Sequence, residues 1–357
     1  MAERKILDLA KPILRTWSSE SDLESMALLQ ENAIDWMLDN YVNMIGYWNY
    51  QEQRCALELI PRQDPTLGDP MLCSWMKCPF INLYTVSHSF VRNRFENILA
   101  YILDAIESGY YIFFYIHQGT LSTRMGPDVH GIFVYGFDKK NQILYVADHY
   151  DNGKYALAEL GFEEFLKAYE LTYWDEEGYY LPKYENDILW ENKPIYIAKS
   201  RPFKYEFSVE WFKIQLKDYL ESTHSLNSAA SVTEGPGYKR YYGISSYDLV
   251  IYYMDQLACN KENVMKDHRI ITIICDHKKL IAMRMEYFRE KGLCMIHEED
   301  VEKSRMLYKS SEIILYLFLK FKLTDNIEIL EKIKDILWEM KNIEFELLSD
   351  INKRLAS

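Results

Sequence analysis

From Tyr110 to His117 the chain is apolar almost without interruption, and such a run between turn signals predicts a strand inside a sheet. Two further strands follow at His130–Phe137 and Gln142–Asp148, with a polar turn at Asp138–Asn141 between them. Tyr155–Leu160 and Ile195–Ala198 add strands on either side of a short helix over Phe162–Leu171. Nearer the start, Leu23, Met26, Leu29, Ala33, Met37 and Tyr41 recur at helical spacing. Ser21-Asp-Leu-Glu24 offers a capping box, so one long helix is predicted over 22–46. The stretch Trp48–Pro79 carries Pro61, Pro65, Pro70 and Pro79 and reads as loop, and Asn93 caps a helix reaching Ser108. After Arg201-Pro202 the period turns helical: Val209–Thr223, Ser245–Ala258, Arg269–Lys291, Val301–Leu323 and Ile327–Ala356. This predicts an α+β domain over 1–200 and an α-helical domain over 201–357.

The hairpin carries the candidate chemistry. With a three-residue turn, Phe137 faces Asn141 and His130 lies opposite Asp148. Side chains paired across an antiparallel ladder stand roughly 5 Å apart at Cβ, close enough for the imidazole to bond the carboxylate. A carboxylate on one ring nitrogen fixes the tautomer and leaves the other nitrogen free to take a proton. His117 and Gln118 end the preceding apolar strand beside this pair and are candidates to line a cleft.

His-Gly-Ile-Phe-Val-Tyr-Gly-Phe-Asp (130–138), a short turn, and then an apolar strand ending in Ala147-Asp148 resemble the His and Asp strands of papain-like folds. The resemblance is to the bacteriocin-processing type and to butirosin-biosynthesis H-like acyltransferases of thiotemplated pathways, and it covers about residues 20–200. It implies a papain-like cysteine-protease fold in which a thiolate accepts an acyl group from a phosphopantetheine thioester on an acyl or peptidyl carrier protein. A small-molecule amine then receives that group as an amide. His130 would serve as base and then acid, oriented by Asp148. No intrinsic cofactor is implied beyond the arm that the carrier delivers. Peptide hydrolysis by the same triad, or passive binding of acyl or peptide groups, are the alternatives.

Such folds place the nucleophile at the start of the first long helix, where the helix N-terminus stabilises a thiolate. Here Ala27, 103 positions before His130, holds the matching place. The chain is then a Cys-to-Ala variant, a natural pseudoenzyme, or an enzyme whose nucleophile is elsewhere, with Ser25, Cys55, Cys73 and Cys78 as candidates. The helical domain is expected to roof the cleft. A Gly-rich insert over Ser225–Gly243 would act as a lid, with Tyr238, Tyr241 and Tyr242 against substrate.

Composition limits the partners. The net charge of −13 argues against a nucleic-acid binder, and 48% hydrophobic with 27% charged residues is the balance of a globular chain. An acidic carrier would need a local basic patch, and Lys266, Arg269, Lys278, Lys279, Arg284 and Arg289 along one predicted helix could form it. Six cysteines at these spacings suggest neither a disulfide framework nor, with the histidines, a metal site. The longest strongly apolar run is Ile313–Leu319, too short to cross a bilayer, so no membrane partner and a cytoplasmic location are expected.

Overall fold

The computed structural model describes residues 2–59, 61, 70–118, 121, 129–150, 154–173, 194–223, 238–259 and 262–355. In chain order these form β1 (Arg4–Ile6), α1 (Ser18–Ala27), α2 (Ala33–Asn40), β2 (Met44–Asn49), β3 (Arg54–Leu59), α3 (Pro70–Lys77) and β4 (Ile81–Val86). Next come α4 (His88–Arg94), α5 (Ile98–Glu107), β5 (Tyr111–His117), β6 (Val129–Asp138), β7 (Ile143–His149), β8 (Tyr155–Gly161), α6 (Phe162–Tyr173) and β9 (Ile195–Ser200). The rest is α7 (Val209–Leu220), β10 (Tyr238–Tyr242), α8 (Ser246–Cys259), α9 (Arg269–Lys291), α10 (Glu298–Thr324) and α11 (Glu328–Leu355).

The chain is α+β, with antiparallel sheets and a helical C-terminal region. It divides into two compact units, Met1–Ala33 with Ser74–Lys204, and Ile34–Cys73 with Tyr205–Ser357. A single cut after residue 200 therefore misplaces 34–73, which belongs with the helical unit. The predicted helix over 22–46 fails for the same reason. Its periodic positions run across the point where the chain leaves one unit for the other, so α1 ends at Ala27 and α2 starts at Ala33. The stretch read as loop over 48–79 holds β3 and α3, and the cap of α5 is Asn97, whose Oδ1 accepts from the Ala100 N–H at 2.9 Å.

In the first unit a sheet runs β4-β9-β5-β6-β7-β8, with β1 continuing the β5 edge of β6. Its central strands bury Ile112, Phe114, Ile116, Ile132, Val134, Leu144 and Val146 in one core cluster with Ile98, Ile102 and Ile106 of α5 and Phe165 and Tyr169 of α6. Burial on this scale stabilises by about 1.5–3 kcal/mol per large side chain. Gly136 lets β1 approach: a Cβ there would lie 2.9 Å from the Lys5 carbonyl oxygen.

Helix α1 is buried along nearly its whole length, polar residues included. Glu24 Oε2 accepts from the backbone N–H of Ile13 at 2.6 Å and of Leu14 at 2.9 Å. Ser21 Oγ donates to the Leu14 carbonyl at 3.1 Å, and Trp75 Nε1 donates to the Ser19 carbonyl at 3.0 Å. Each buried polar group named here has a partner, which is the condition for its burial to be tolerable.

In the second unit β10-β2-β3 form a small sheet. Its helices close on a buried charge network. Lys278 Nζ lies 2.5 Å from Glu344 Oε2 with both side chains fully buried, and Tyr219 and Tyr247 donate to the two oxygens of Glu344 at 2.5 and 2.6 Å. Burial lowers the Lys278 pKa, and Glu344 opposes that shift. Arg284 donates to the Leu38 carbonyl at 2.7 Å and to that of Tyr41, and is likewise buried.

Candidate functional site

The β6–β7 turn is longer than the hairpin reading assumed. Asp138 pairs with Ile143, leaving 139–142 as the turn. Asp138 caps it, accepting from Asn141 N–H at 3.0 Å and from Asn141 Nδ2 at 2.9 Å. A register shift between Val134 and Gly136 then brings Phe133 opposite Ala147. His130 and Asp148 are consequently not directly opposed. They share a face on the diagonal, a spacing that long side chains span.

The bond forms nonetheless. His130 Nδ1 lies 3.1 Å from Asp148 Oδ2, with the carboxylate 2% and the imidazole 45% exposed. Nδ1 is also 3.2 Å from the Gly131 carbonyl oxygen. Two acceptors beside one ring nitrogen place the proton on Nδ1 and leave Nε2 as the basic atom of a half-exposed ring. Asp148 is itself held: Gln118 Nε2 donates to its Oδ2 at 2.7 Å and to the Gly131 carbonyl at 3.1 Å, and the His149 N–H donates to Oδ1 at 2.7 Å. Gln118, only 3% exposed, thus orients the carboxylate and does not line an open wall. His117 instead uses its backbone N–H on Thr172 Oγ1 at 2.7 Å.

The nucleophile position is corrected. Ala27 is the last residue of α1, fully buried, with its carbonyl accepting from the Gln30 N–H at 2.9 Å. A thiol there would meet the carbonyl end of the helix, where the dipole disfavours a thiolate. The other candidates fare no better. Ser25 is buried and donates its hydroxyl hydrogen to the Asp22 carbonyl at 2.7 Å. Burial pushes the Cys78 thiol up to about 12, and raises that of Cys55, which lies in the second unit. The Cys73 side chain is outside the described residues.

Sequence reading passed over Asp22, the α1 side chain electrostatically coupled to Asp148. It is buried, and its pKa is raised by desolvation and then by Asp148. Tyr155 donates to its Oδ1 at 2.8 Å. His149 stands opposite Tyr155 in the β7–β8 register, and burial holds its pKa down at about 4. The sequence signal was a short helix in which three carboxyls, Glu20, Asp22 and Glu24, and four serines outnumber the apolar Leu23, Met26 and Ala27.

The expected lid lies partly outside the described residues. Its last part is not loop at all: Tyr238, Tyr241 and Tyr242 belong to β10 of the second unit, paired with Asn49, Gly46 and Ile45. The basic patch on α9 dissolves as well. Lys278 and Arg284 are buried, Arg269 clasps Asp267 at 2.6 Å, Lys266 pairs with Asp325, and Arg289 bonds Glu298 at 2.7 Å. Among the described residues, no group of three or more His, Cys, Asp or Glu could hold a metal ion, and no helix is long and apolar enough to cross a membrane. Comparison with protein-family models and with curated proteins finds no match.

Proposed function

We propose that the chain is an acyltransferase of papain-like descent that forms an amide from a thioester and an amine, with His130 as general base. The observation that carries this reading is the His130–Asp148–Gln118 relay, which holds the ring through Nδ1 while the side chain stays 45% exposed. The substrate class, a thioester on the phosphopantetheine arm of a carrier protein, comes from the resemblance of residues 130–148 to thiotemplated acyltransferases. Direct transfer fits the α1 geometry better than an acyl-enzyme at position 27. As the amine nitrogen adds to the thioester carbonyl, its proton passes to Nε2. The C–S bond then breaks, and the imidazolium returns the proton to the departing thiolate. A C–N bond replaces a C–S bond, and a free thiol is released.

The test offers acetyl and benzoyl pantetheine thioesters with n-butylamine to the full chain and follows amide formation by mass spectrometry. His130→Ala is expected to reduce the rate by about 10²–10⁴-fold, the range for a positioned acid–base group. Amide formation that survives this substitution unchanged removes His130 from the chemistry, and release of free acid in place of amide points to hydrolysis.

A binding role without chemistry is the second reading, and Asp22 favours it. A buried carboxyl tied to Tyr155 occupies the α1 position coupled to the dyad, and Cys78 of the same unit is buried with its thiol pKa pushed up. Saturable binding of the thioesters with no turnover would decide for it.

A further inference from the structure

Helices α10 and α11 are adjacent in the chain, joined by residues 325–327, and each buries one stripe in the second unit, with Leu307, Ile314, Phe318 and Phe321 on α10 and Ile333, Leu337 and Leu347 on α11. Each also carries a second stripe on its exposed side. On α10, Met306, Lys309, Ile313, Tyr316, Lys320 and Leu323 recur at alternating intervals of three and four. All six are exposed, Tyr316 to 68% and Leu323 to 88%. On α11, Glu331, Asp335, Trp338, Asn342 and Phe345 do the same at intervals of four and three. Isolated exposed apolar residues are ordinary on a protein surface. A 3.5-residue period is the seam of a helix that packs against another helix.

Charge selects the occupant. Parallel pairing of α10 with itself would set Lys309 on Lys309 and Lys320 on Lys320. Antiparallel pairing about the middle of the stripe would set Lys309 on Lys320. Both oppose like charges in a seam. The α11 stripe has the opposite sign, with Asp335 and Glu331, and offers two aromatic rings. Glu331 already bears Lys334 at 2.9 Å, so Asp335 carries the fuller unpaired charge.

We propose that a second copy of this chain docks here, α10 of each copy lying along α11 of the other, closing a four-helix bundle about a two-fold axis parallel to the helices. That axis keeps both inter-helix turns at one end of the bundle. Lys320, just before the turn, then stands level with Glu331 and Asp335 of the second copy, just after it. Tyr316 and Ile313 meet Trp338, and Met306 meets Phe345. The proposal is independent of the chemistry at His130.

Sedimentation equilibrium of the full chain over a concentration series tests it. The native chain is expected at the mass of two copies. Lys320→Asp is expected to raise the dissociation constant on the order of tenfold or more, as it meets Glu331 and Asp335 across the seam. Adding Asp335→Lys and Glu331→Lys in the same chain is expected to restore the dimer. All three positions are exposed, so an unchanged far-UV circular dichroism spectrum verifies that each variant is folded. A single-chain mass at every concentration overturns the proposal. So does a dimer indifferent to Tyr316→Glu and Leu323→Glu, or a loss that charge reversal fails to restore.

Discussion

Tyr155 gives its hydroxyl hydrogen to Asp22 Oδ1 at 2.8 Å, fastening β8 to the buried helix α1. Asp22 is buried and Tyr155 partly so, and desolvation raises the pKa of each, so neither charges readily. A folded-state carboxyl with a raised pKa binds its proton more tightly than the unfolded chain does. Stability from this group is therefore full in acid and is lost as pH climbs above the ordinary carboxylate range. Asp22→Asn removes that dependence. Urea midpoints at about pH 4.5 and about pH 8 should show the variant gaining on the native chain at the higher pH. Tyr155→Phe, which leaves Asp22 without this donor, is expected to cost about 1–3 kcal/mol.

His149 works in the other direction. Its pKa is lowered from 6.5 to about 4 by burial, with the neighbouring His130 adding to the effect and Asp148 opposing it. The unfolded chain thus takes up this proton first, and stability drains away as pH falls from about 6.5 to about 4. A displacement of that size is worth about 3 kcal/mol. His149→Phe keeps a ring against Tyr155, whose centroid is 6.0 Å away, and abolishes the proton difference. The variant should lose less stability than the native chain between those two pH values in chemical denaturation.

Position 27 can be probed directly. Ala27→Cys places a thiol in a fully buried site at the carbonyl end of α1, so iodoacetamide should leave it unmodified in the folded protein. Peptide-level mass spectrometry separates it from Cys259, which is exposed and should be labelled. Rapid alkylation at 27 would restore the residue as a nucleophile position.

The second unit depends on Glu344. Glu344→Gln leaves the Lys278 ammonium buried without its counter-ion, a change that costs about 3–5 kcal/mol. Combining it with Lys278→Met removes the stranded charge and should recover part of that loss in the urea midpoint. Equal midpoints for the single and double variants would mean that Lys278 is already neutral in the fold.

The strands β5 to β8 and the helices from α7 onward were the most legible of the described elements. Continuous apolar runs gave β5 to β8 nearly to the residue, and α9 begins at Arg269 and ends at Lys291 as its periodicity predicts. The pairing of His130 with Asp148 was also readable, because residues of one hairpin must come back to each other. Its register was not, since the four-residue turn and the Val134–Gly136 irregularity are settled by how Asp138 caps the turn and how β1 lies against Gly136.

Local pattern by itself determined where helices and strands form, because the period of apolar residues fixes which face can be buried. Only the tertiary structure decided what those faces meet. It ended α1 at Ala27, assigned 34–73 to the other unit, and buried Asp22 beneath Tyr155. It also turned Lys278 from an apparent surface charge into the partner of Glu344. Each of those outcomes rests on a contact between residues far apart in the chain, and the energy of such a contact is not written in either residue's neighbours.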